Sequence, residues 1–442
     1  MDFILLNVIL RDIILFIILF YLIKSINNIE KLFFLFMITI PFSIGIKIYN
    51  FDISISELIA IIIIIRSFFI FFFKNDLKFS KTMIIFVLIN LISLFFIFLV
   101  NYPQFSERFF ILIIKNIIYL LFALSIYTLF KYEKISSSLD KIFSYFFRGL
   151  NIVLFFSFIS YIYTFFTKSG EIFYVIRDHS LFNPKFSTSF ALDPSGLVIP
   201  RLHFFSEPKG LATLIVVGIS YLLFSSQNKN KLLIFYVISL LMTFSRAGII
   251  LFLLILIIYF ISILTNGEKY FNFKKFTTLF LILSLTLLTF FATLDLERNV
   301  LNTLSRENKE EFLRTVFEEY DYAIYKYYVN NPSTMLIPVG QLFMENNTRM
   351  FIDVPWGLDA PYNVRRGLIF LLVNYGIFSF VILFLIFLCT FEVKSYFFLA
   401  WFFIFMFNVE GAILLFHFFI IGYLFFYHEK LKNGSITKIS GN

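Results

Sequence analysis

Arg201, His203, Glu207 and Lys209 fall within the stretch Arg201-Leu-His-Phe-Phe-Ser-Glu-Pro-Lys-Gly-Leu-Ala212, on a chain that is otherwise mostly hydrocarbon. A guanidinium gives bidentate, permanently charged contacts to phosphate without needing a metal. A carboxylate beside it can position or deprotonate a hydroxyl. Proline suits the first helical position and pushes the residue before it out of the helical region, so Glu207 is expected at the cap of a helix that enters the apolar run after Leu211. Two readings stand for that carboxylate: it caps the helix and answers its dipole, or it acts on a substrate. Arg201 likewise pairs with a headgroup or carboxylate, or meets an anionic ligand. His203, next to Phe204 and Phe205, is either packed at an interface or part of the site.

Two further stretches carry the same kind of chemistry. Ser245-Arg246-Ala247-Gly248 is a short turn between apolar runs, where an arginine either snorkels to headgroups or points at an anion. Ala360-Pro361-Tyr362-Asn363-Val364-Arg365-Arg366-Gly367 places two arginines before another apolar run. No His/Cys or paired-carboxylate metal spacing, Walker-type glycine loop or Ser-His-Asp arrangement stands out, so neither a metal nor another cofactor is expected. Cys389 is the single cysteine, which excludes an internal disulfide.

The elements that must hold these residues are membrane spans. The chain has 442 residues, is 60% hydrophobic and has only 15% charged residues. Its net charge of +9 raises the question of nucleic acid, but most Lys and Arg lie in short loops between apolar runs, not on a basic face. At about 20 apolar residues per bilayer crossing, about thirteen stretches qualify. They lie near 4–23, 32–48, 55–73, 82–100, 109–130, 147–166, 208–225, 231–244, 247–265, 276–293, 367–390, 395–408 and 411–427. The first carries Arg11-Asp12 in mid-run, read as an ion pair turned into the bundle, and twelve spans plus an interfacial helix is the alternative count. It lacks a basic leader and is expected to be retained. Lys47, Arg66 and Lys115, at or inside span edges, are read as helix-to-helix pairing groups.

Lysines concentrate in alternate loops, from Lys24 and Lys31 through Lys131, Lys141 and Lys229 to Lys430 and Lys432. The positive-inside rule makes that side cytoplasmic, together with the C-terminus. The opposite side then holds two long segments, 167–206 and 294–366, and long loops are usually functional. The second is predicted to contain an amphipathic helix over about 308–329, opened by Asn308 and Glu311 as a capping box and ended by Asn330-Asn331-Pro332. No internal repeat is evident, and residues 1–442 are read as one transmembrane domain.

Taken in order, Arg201–Ala212, Phe244–Gly248, Asn331–Gly340 and Tyr362–Gly376 resemble the O-antigen polymerase and O-antigen ligase superfamily of membrane glycosyltransferases. The resemblance implies a GT-C-like helical bundle acting at the outer face of a bacterial inner membrane on undecaprenyl-diphosphate-linked glycans, as donor and acceptor, within membrane lipid. A chain-length regulator protein is a possible further partner. It implies that Arg201 and Arg246 contact the donor diphosphate and that Glu207 positions or deprotonates the acceptor. Arg365, Arg366, Tyr362, Asn363, His203 and Lys209 would line the substrate site. Ligases commonly carry His-Asn where this chain has Tyr362-Asn363, which tilts the expectation towards a polymerase. A ligase and a lipid-linked oligosaccharide flippase are the alternatives.

Overall fold

A computed structural model of the chain describes residues 3–48, 51–73, 78–102, 105–133, 139–167, 172–180, 185–187, 191–192, 198–205, 207–225, 229–266, 319–348, 351, 367–407 and 412–433. Helices α1 (Phe3–Ser25) and α2 (Ile29–Thr39) lead into a hairpin of β1 (Gly45–Ile48) and β2 (Phe51–Ser54). Four helices follow: α3 (Ile55–Phe73), α4 (Lys81–Asn101), α5 (Glu107–Tyr132) and α6 (Leu139–Thr167). The first long segment contributes two small antiparallel hairpins, β3 (Val175–Asp178) with β4 (Lys185–Ser187), and β5 (Ala191–Leu192) with β6 (Val198–Ile199). Next come α7 (Pro208–Phe224), α8 (Asn230–Met242) and α9 (Arg246–Asn266). In the second half are α10 (Glu319–Asn330), α11 (Gly340–Thr348), α12 (Gly367–Tyr375), α13 (Phe378–Val393), α14 (Tyr396–Phe407) and α15 (Ala412–Lys432).

Among the described residues, six helices are long and apolar enough to cross a membrane: those at Ile4–Ser25, Lys81–Val100, Glu107–Tyr132, Leu139–Thr167, Ala247–Thr265 and Ile413–Lys432. Large side chains such as Phe16, Ile23, Phe73, Phe166 and Leu264 are 70% exposed or more. Water would not tolerate such a surface over a whole bundle, and lipid accepts it. The chain is an all-α polytopic membrane protein with small hairpins outside its helices.

Glycines let the helix backbones meet, the usual device where lipid offers no hydrophobic drive. A methyl group on Gly422 of α15 would stand 2.3 Å from the carbonyl of Ala123 on α5, and one on Gly149 of α6 would stand 2.3 Å from that of Ile38 on α2. Around these crossings pack fully buried rings, including Phe36, Phe122, Phe146 and Phe419.

Three expectations change. The apolar run near 32–48 is not one span: α2 stops at Thr39, a 3-10 turn covers Ile40–Phe42, and the chain turns into β1. Pro41 cannot continue the helix, Ser43 takes a left-handed φ of 50°, and Gly45 lies so close to Ile53 that a Cβ would be 2.6 Å from its carbonyl oxygen. Lys47 therefore sits on a strand, opposite Asp52, not inside a helix. The run near 367–390 is two helices, because Gly376 adopts a φ of +52° between α12 and α13. The Arg11–Asp12 pair is made, at 2.6 Å, but only Arg11 is buried; Asp12 keeps 47% of its side chain exposed. Arg11 also donates to the carbonyl of Ser180 at 3.0 Å, so it anchors the first long segment.

Other expectations match. The helix in the second long segment ends at Asn330, as its Asn-Pro sequence requires, and buries Ala323 and Ile324 in the main core. Its predicted start at 308–318 lies outside the described residues, as does the span near 276–293. Lys115 reaches Glu57 across α5 and α3 at 3.5 Å, whereas Arg66 donates to the carbonyl of Ile26, in the turn after α1, at 3.0 Å rather than to another helix. Glu57 itself closes a capping box with Ser54 and accepts from Tyr119.

The bundle has two chemically distinct ends. At the lysine-rich end, Lys131 meets Glu429 at 2.6 Å, Lys432 meets Glu392 at 3.0 Å, and Lys141 meets Glu30 at 3.5 Å. At the end bearing the long segments, Asn7 exchanges bonds with the backbone of Ile172 and Tyr174, and Gly45 donates to His179. There too Asn101 donates to the Val339 carbonyl, and Arg108 pairs with the buried Glu345 at 2.8 Å.

Candidate functional site

Residues 201–205 run as a strap between two supports, bending at Phe204–Phe205. On one side Leu202 donates from its backbone to the Met242 carbonyl at 2.9 Å, the last residue of α8. On the other, Ile176 donates to the Phe205 carbonyl at 3.1 Å. The guanidinium of half-buried Arg201 then crosses to the turn after α8, where Nε donates to the Thr243 carbonyl at 3.3 Å and Nη2 to that of Phe244 at 3.2 Å. A helix ends with carbonyls that have no intrahelical partner and a partial negative charge. Arg201 answers both, and in doing so is fixed beside the Ser245–Arg246 turn, far from it in sequence.

Two helices start at this point. Ser245 caps α9: its hydroxyl accepts from the Gly248 amide at 3.2 Å, and its own side chain is buried. Glu207 occupies the cap position of α7, with extended φ and ψ of −60° and 144° and Pro208 next, yet its carboxylate makes no capping hydrogen bond. The capping reading of Glu207 therefore holds for the backbone only. Half-buried Lys209 lies in the first turn of α7, where its carbonyl accepts from Thr213.

Gly248 sets how close these starts come. A Cβ there would stand 2.7 Å from the Cβ of Ala212 on α7 and 3.0 Å from Cδ1 of Leu240 on α8. Among the described residues, none beyond its own helix turn has an atom within 4 Å of where a Cβ on Gly210, in the first turn of α7, would be. One face of the α7 start is thus pressed against α9, and another is open.

The backbone leading into each helix is strained in the same way. Phe205 has φ of 52° and Phe244 has φ of 48°, left-handed values that cost a bulky L-residue of order 1 kcal/mol or more and collect at functional sites. Phe205 lies two positions ahead of Glu207, and Phe244 two ahead of Arg246. His203, which is 2% exposed, spans the strap with Nδ1 3.0 Å from the Arg201 carbonyl and Nε2 2.9 Å from that of Phe173. Its ring nitrogens are taken by backbone, so it holds the strap rather than lining open space.

Tyr362, Asn363, Arg365 and Arg366 lie outside the described residues, and the Arg246 side chain is not described. Gly367, which follows the double arginine, backs onto α14: a Cβ there would stand 1.9 Å from the Phe405 carbonyl oxygen. The same α14 packs against α7 and α9. The described part of the last stretch, Gly367–Gly376, meets Asn331–Gly340, since Val339 donates to the Val373 carbonyl at 3.1 Å, and Ile377 just beyond it donates to that of Leu336 at 3.2 Å. Four short stretches spread over the sequence therefore fold into two contacts, joined by α14. Sequence reading missed the carbonyls of Thr243 and Phe244 and the strained phenylalanines; the glycine of Ser-Arg-Ala-Gly was the one signal of close approach.

Among the described residues no three His, Cys, Asp or Glu side chains stand together as a metal set. A cavity of about 360 Å³ at the lysine-rich end is lined by Glu392, Lys394, His428 and Lys432, where Glu392 accepts from His428 at 2.6 Å and pairs with Lys432. No protein-family model, curated protein or solved structure matches the chain.

Proposed function

We propose that the chain is a membrane glycosyltransferase that polymerises undecaprenyl-diphosphate-linked oligosaccharide units into a surface polysaccharide. The observation that carries this reading is that Arg201 bonds the two carbonyls just ahead of the Ser245–Arg246 turn, where α9 begins beside α7, the helix that Glu207 precedes. Helix N-termini favour anions through their unpaired amides and dipole, and guanidinium groups add permanent charge. Such a corner suits a diphosphate leaving group, whose developing charge it would stabilise in place of a metal.

In the proposed step the acceptor hydroxyl oxygen attacks the anomeric carbon of the donor glycan. The bond from that carbon to the diphosphate oxygen breaks, the diphosphate leaves with the electron pair, and the hydroxyl proton passes to the Glu207 carboxylate. Arg365 and Arg366 would assist with the diphosphate, and Tyr362 and Asn363 with the sugar. The site would face outward from a bacterial inner membrane, opposite the lysine-rich end, with the C-terminus inside.

One observation favours a second reading. The break between α12 and α13, filled by the backbone of Leu336–Val339, is the kind of discontinuous helix on which transporters build binding sites. Glycans that accumulate in a deletion strain separate the readings. A polymerase leaves single lipid-linked units outside the membrane, a ligase leaves long lipid-linked chains, and a flippase leaves single units inside it.

A further inference from the structure

We propose that the cavity where α13 and α15 end is a binding site for an anionic phospholipid, with its phosphodiester at Lys394 and Lys432 and an acyl chain along the lipid-facing side of α13. The site uses none of the residues of the proposed glycosyltransferase corner and does not depend on that reading.

The cavity measures about 360 Å³ and is lined by Phe391, Glu392, Lys394, His428, Leu431 and Lys432. One carboxylate assembles it. Glu392 Oε2 accepts from His428 Nε2 at 2.6 Å and meets Lys432 Nζ at 3.0 Å, which draws two basic side chains of α15 to the end of α13. Lys394 caps α13 with a left-handed φ of 54°, and its amide donates back to the Phe391 carbonyl at 3.1 Å. Its side chain is exposed, and the ammonium has no partner among the described residues. Lys131 and Lys141, at the same end of the bundle, are each paired with a glutamate. Before His428 is counted, two ammonium groups face one carboxylate in the cavity, a net charge of +1. A phosphodiester carries the single negative charge that neutralises it, and lysine binds phosphate as a point charge.

The apolar part of the site continues into the membrane. Phe380, Phe384, Phe387 and Phe391 follow one another at helical spacing along one side of α13 and are 62%, 58%, 43% and 70% exposed. The rings of Phe387 and Phe391 stack with centroids 6.3 Å apart. From Phe380 to Phe391 the helix rises about 16 Å, close to the roughly 15 Å that one leaflet contributes to the hydrocarbon core. The stripe ends at Phe391, on the wall of the cavity. An acyl chain lying on it therefore brings its headgroup to Lys394.

Helix ends attract lysine through their free carbonyls with or without a ligand. The two roles differ in what loss of the charge does. A lysine that serves only the helix end changes stability, and one that binds phosphate changes which lipid is retained. Glu392 separates the ligand classes by sign: its charge opposes an anionic lipid, whereas the ammonium of a zwitterionic lipid would seek it.

The test is native mass spectrometry of the full-length protein in detergent, titrated with phosphatidylglycerol, phosphatidylethanolamine or phosphatidylcholine of the same acyl chains, with thermal melting on the same samples. Phosphatidylglycerol should be retained in preference to the other two. K394Q should weaken that retention about fivefold, the share of one lysine near an anionic surface, and E392Q should strengthen it. F391A should weaken it as well, and excess inorganic phosphate should not displace the lipid. K394Q that melts lower with unchanged lipid retention assigns Lys394 to the helix end and overturns the proposal. Equal retention of the three lipids overturns it too, as does displacement by inorganic phosphate, which would mark a site for free phosphate. Preference for phosphatidylethanolamine that E392Q abolishes would make the ligand zwitterionic and overturn the anionic assignment. Where K394Q does not fold, the direction of the E392Q effect decides.

Discussion

Gly248→Ala is the most informative single change, because the space it invades is defined on both sides. The new methyl would begin 2.7 Å from the Cβ of Ala212. Carbon atoms sit best about 3.5–4.0 Å apart, so α7 and α9 must separate by about 1 Å. The Leu240 contact at 3.0 Å involves the end of a flexible side chain and yields more easily. Overpacking of this kind costs about 1–3 kcal/mol. A misplacement of about 1 Å in a catalytic constellation costs about 100-fold in rate. The expected outcome is a protein that reaches the membrane, melts a few degrees lower in detergent, and lengthens lipid-linked glycan about 100-fold more slowly. Combining Gly248→Ala with Ala212→Gly moves the methyl from one helix to the other. The double variant should recover most of the rate and of the melting temperature, since the roughly 1 kcal/mol that glycine costs a helix is only moved from α9 to α7. Full activity in Gly248→Ala alone, or no recovery in the double variant, would refute the claim that the two helix starts form one site.

Four further outcomes follow from the same geometry. Gly210→Ala, where no described residue beyond its own helix turn has an atom within 4 Å of the new methyl, should leave stability unchanged or raise it by up to about 1 kcal/mol, yet reduce glycan lengthening if substrate uses that opening; thermal melting and rate are read on the same sample. Arg201→Lys keeps the charge but cannot reach two carbonyls in a fork, so lengthening should fall about as far as in Arg201→Ala while the protein still inserts. Gly376→Ala meets both a left-handed φ and the carbonyl carbon of Ile337 at 2.6 Å, and should cost at least about 1–3 kcal/mol, seen as a lower melting temperature and yield. Arg108→Ala removes a cation from beside the buried Glu345 carboxylate and should destabilise by about 1–3 kcal/mol, with Glu345→Gln restoring much of the loss in a double-mutant cycle.

What could be read from sequence divides along a physical line. The helix starting at Pro208 and the end of α10 at Asn330 were legible, because proline and Asn-Pro act through the local backbone. The pairing of Lys115 with a neighbouring helix was legible too, since a cation at membrane depth needs a partner. The hairpin after Thr39 was not, because Ile44, Ile46 and Ile48 are as apolar as a span and apolarity alone does not distinguish strand from helix. The break at Gly376 was hidden for the same reason, inside an unbroken apolar run. At the candidate site the residue types were visible and their attachments were not. Nothing in Arg201 announces that it binds the carbonyls of Thr243 and Phe244, since every helix end has such carbonyls and sequence does not say which arginine meets them. Sequence says least about His203, because one of its two carbonyl partners, Phe173, lies 30 residues away.

The central claim is that Arg201, Arg246 and Glu207 form one corner that transfers glycan from a lipid diphosphate. Its most direct test is purified protein in proteoliposomes supplied with a lipid-diphosphate-linked oligosaccharide, with products separated by length. Wild type should give a ladder of longer lipid-linked chains, and Arg201→Ala, Arg246→Ala and Glu207→Gln variants that are folded and inserted should give none. Single units that cross the bilayer without growing, or a full ladder from all three variants, would contradict it.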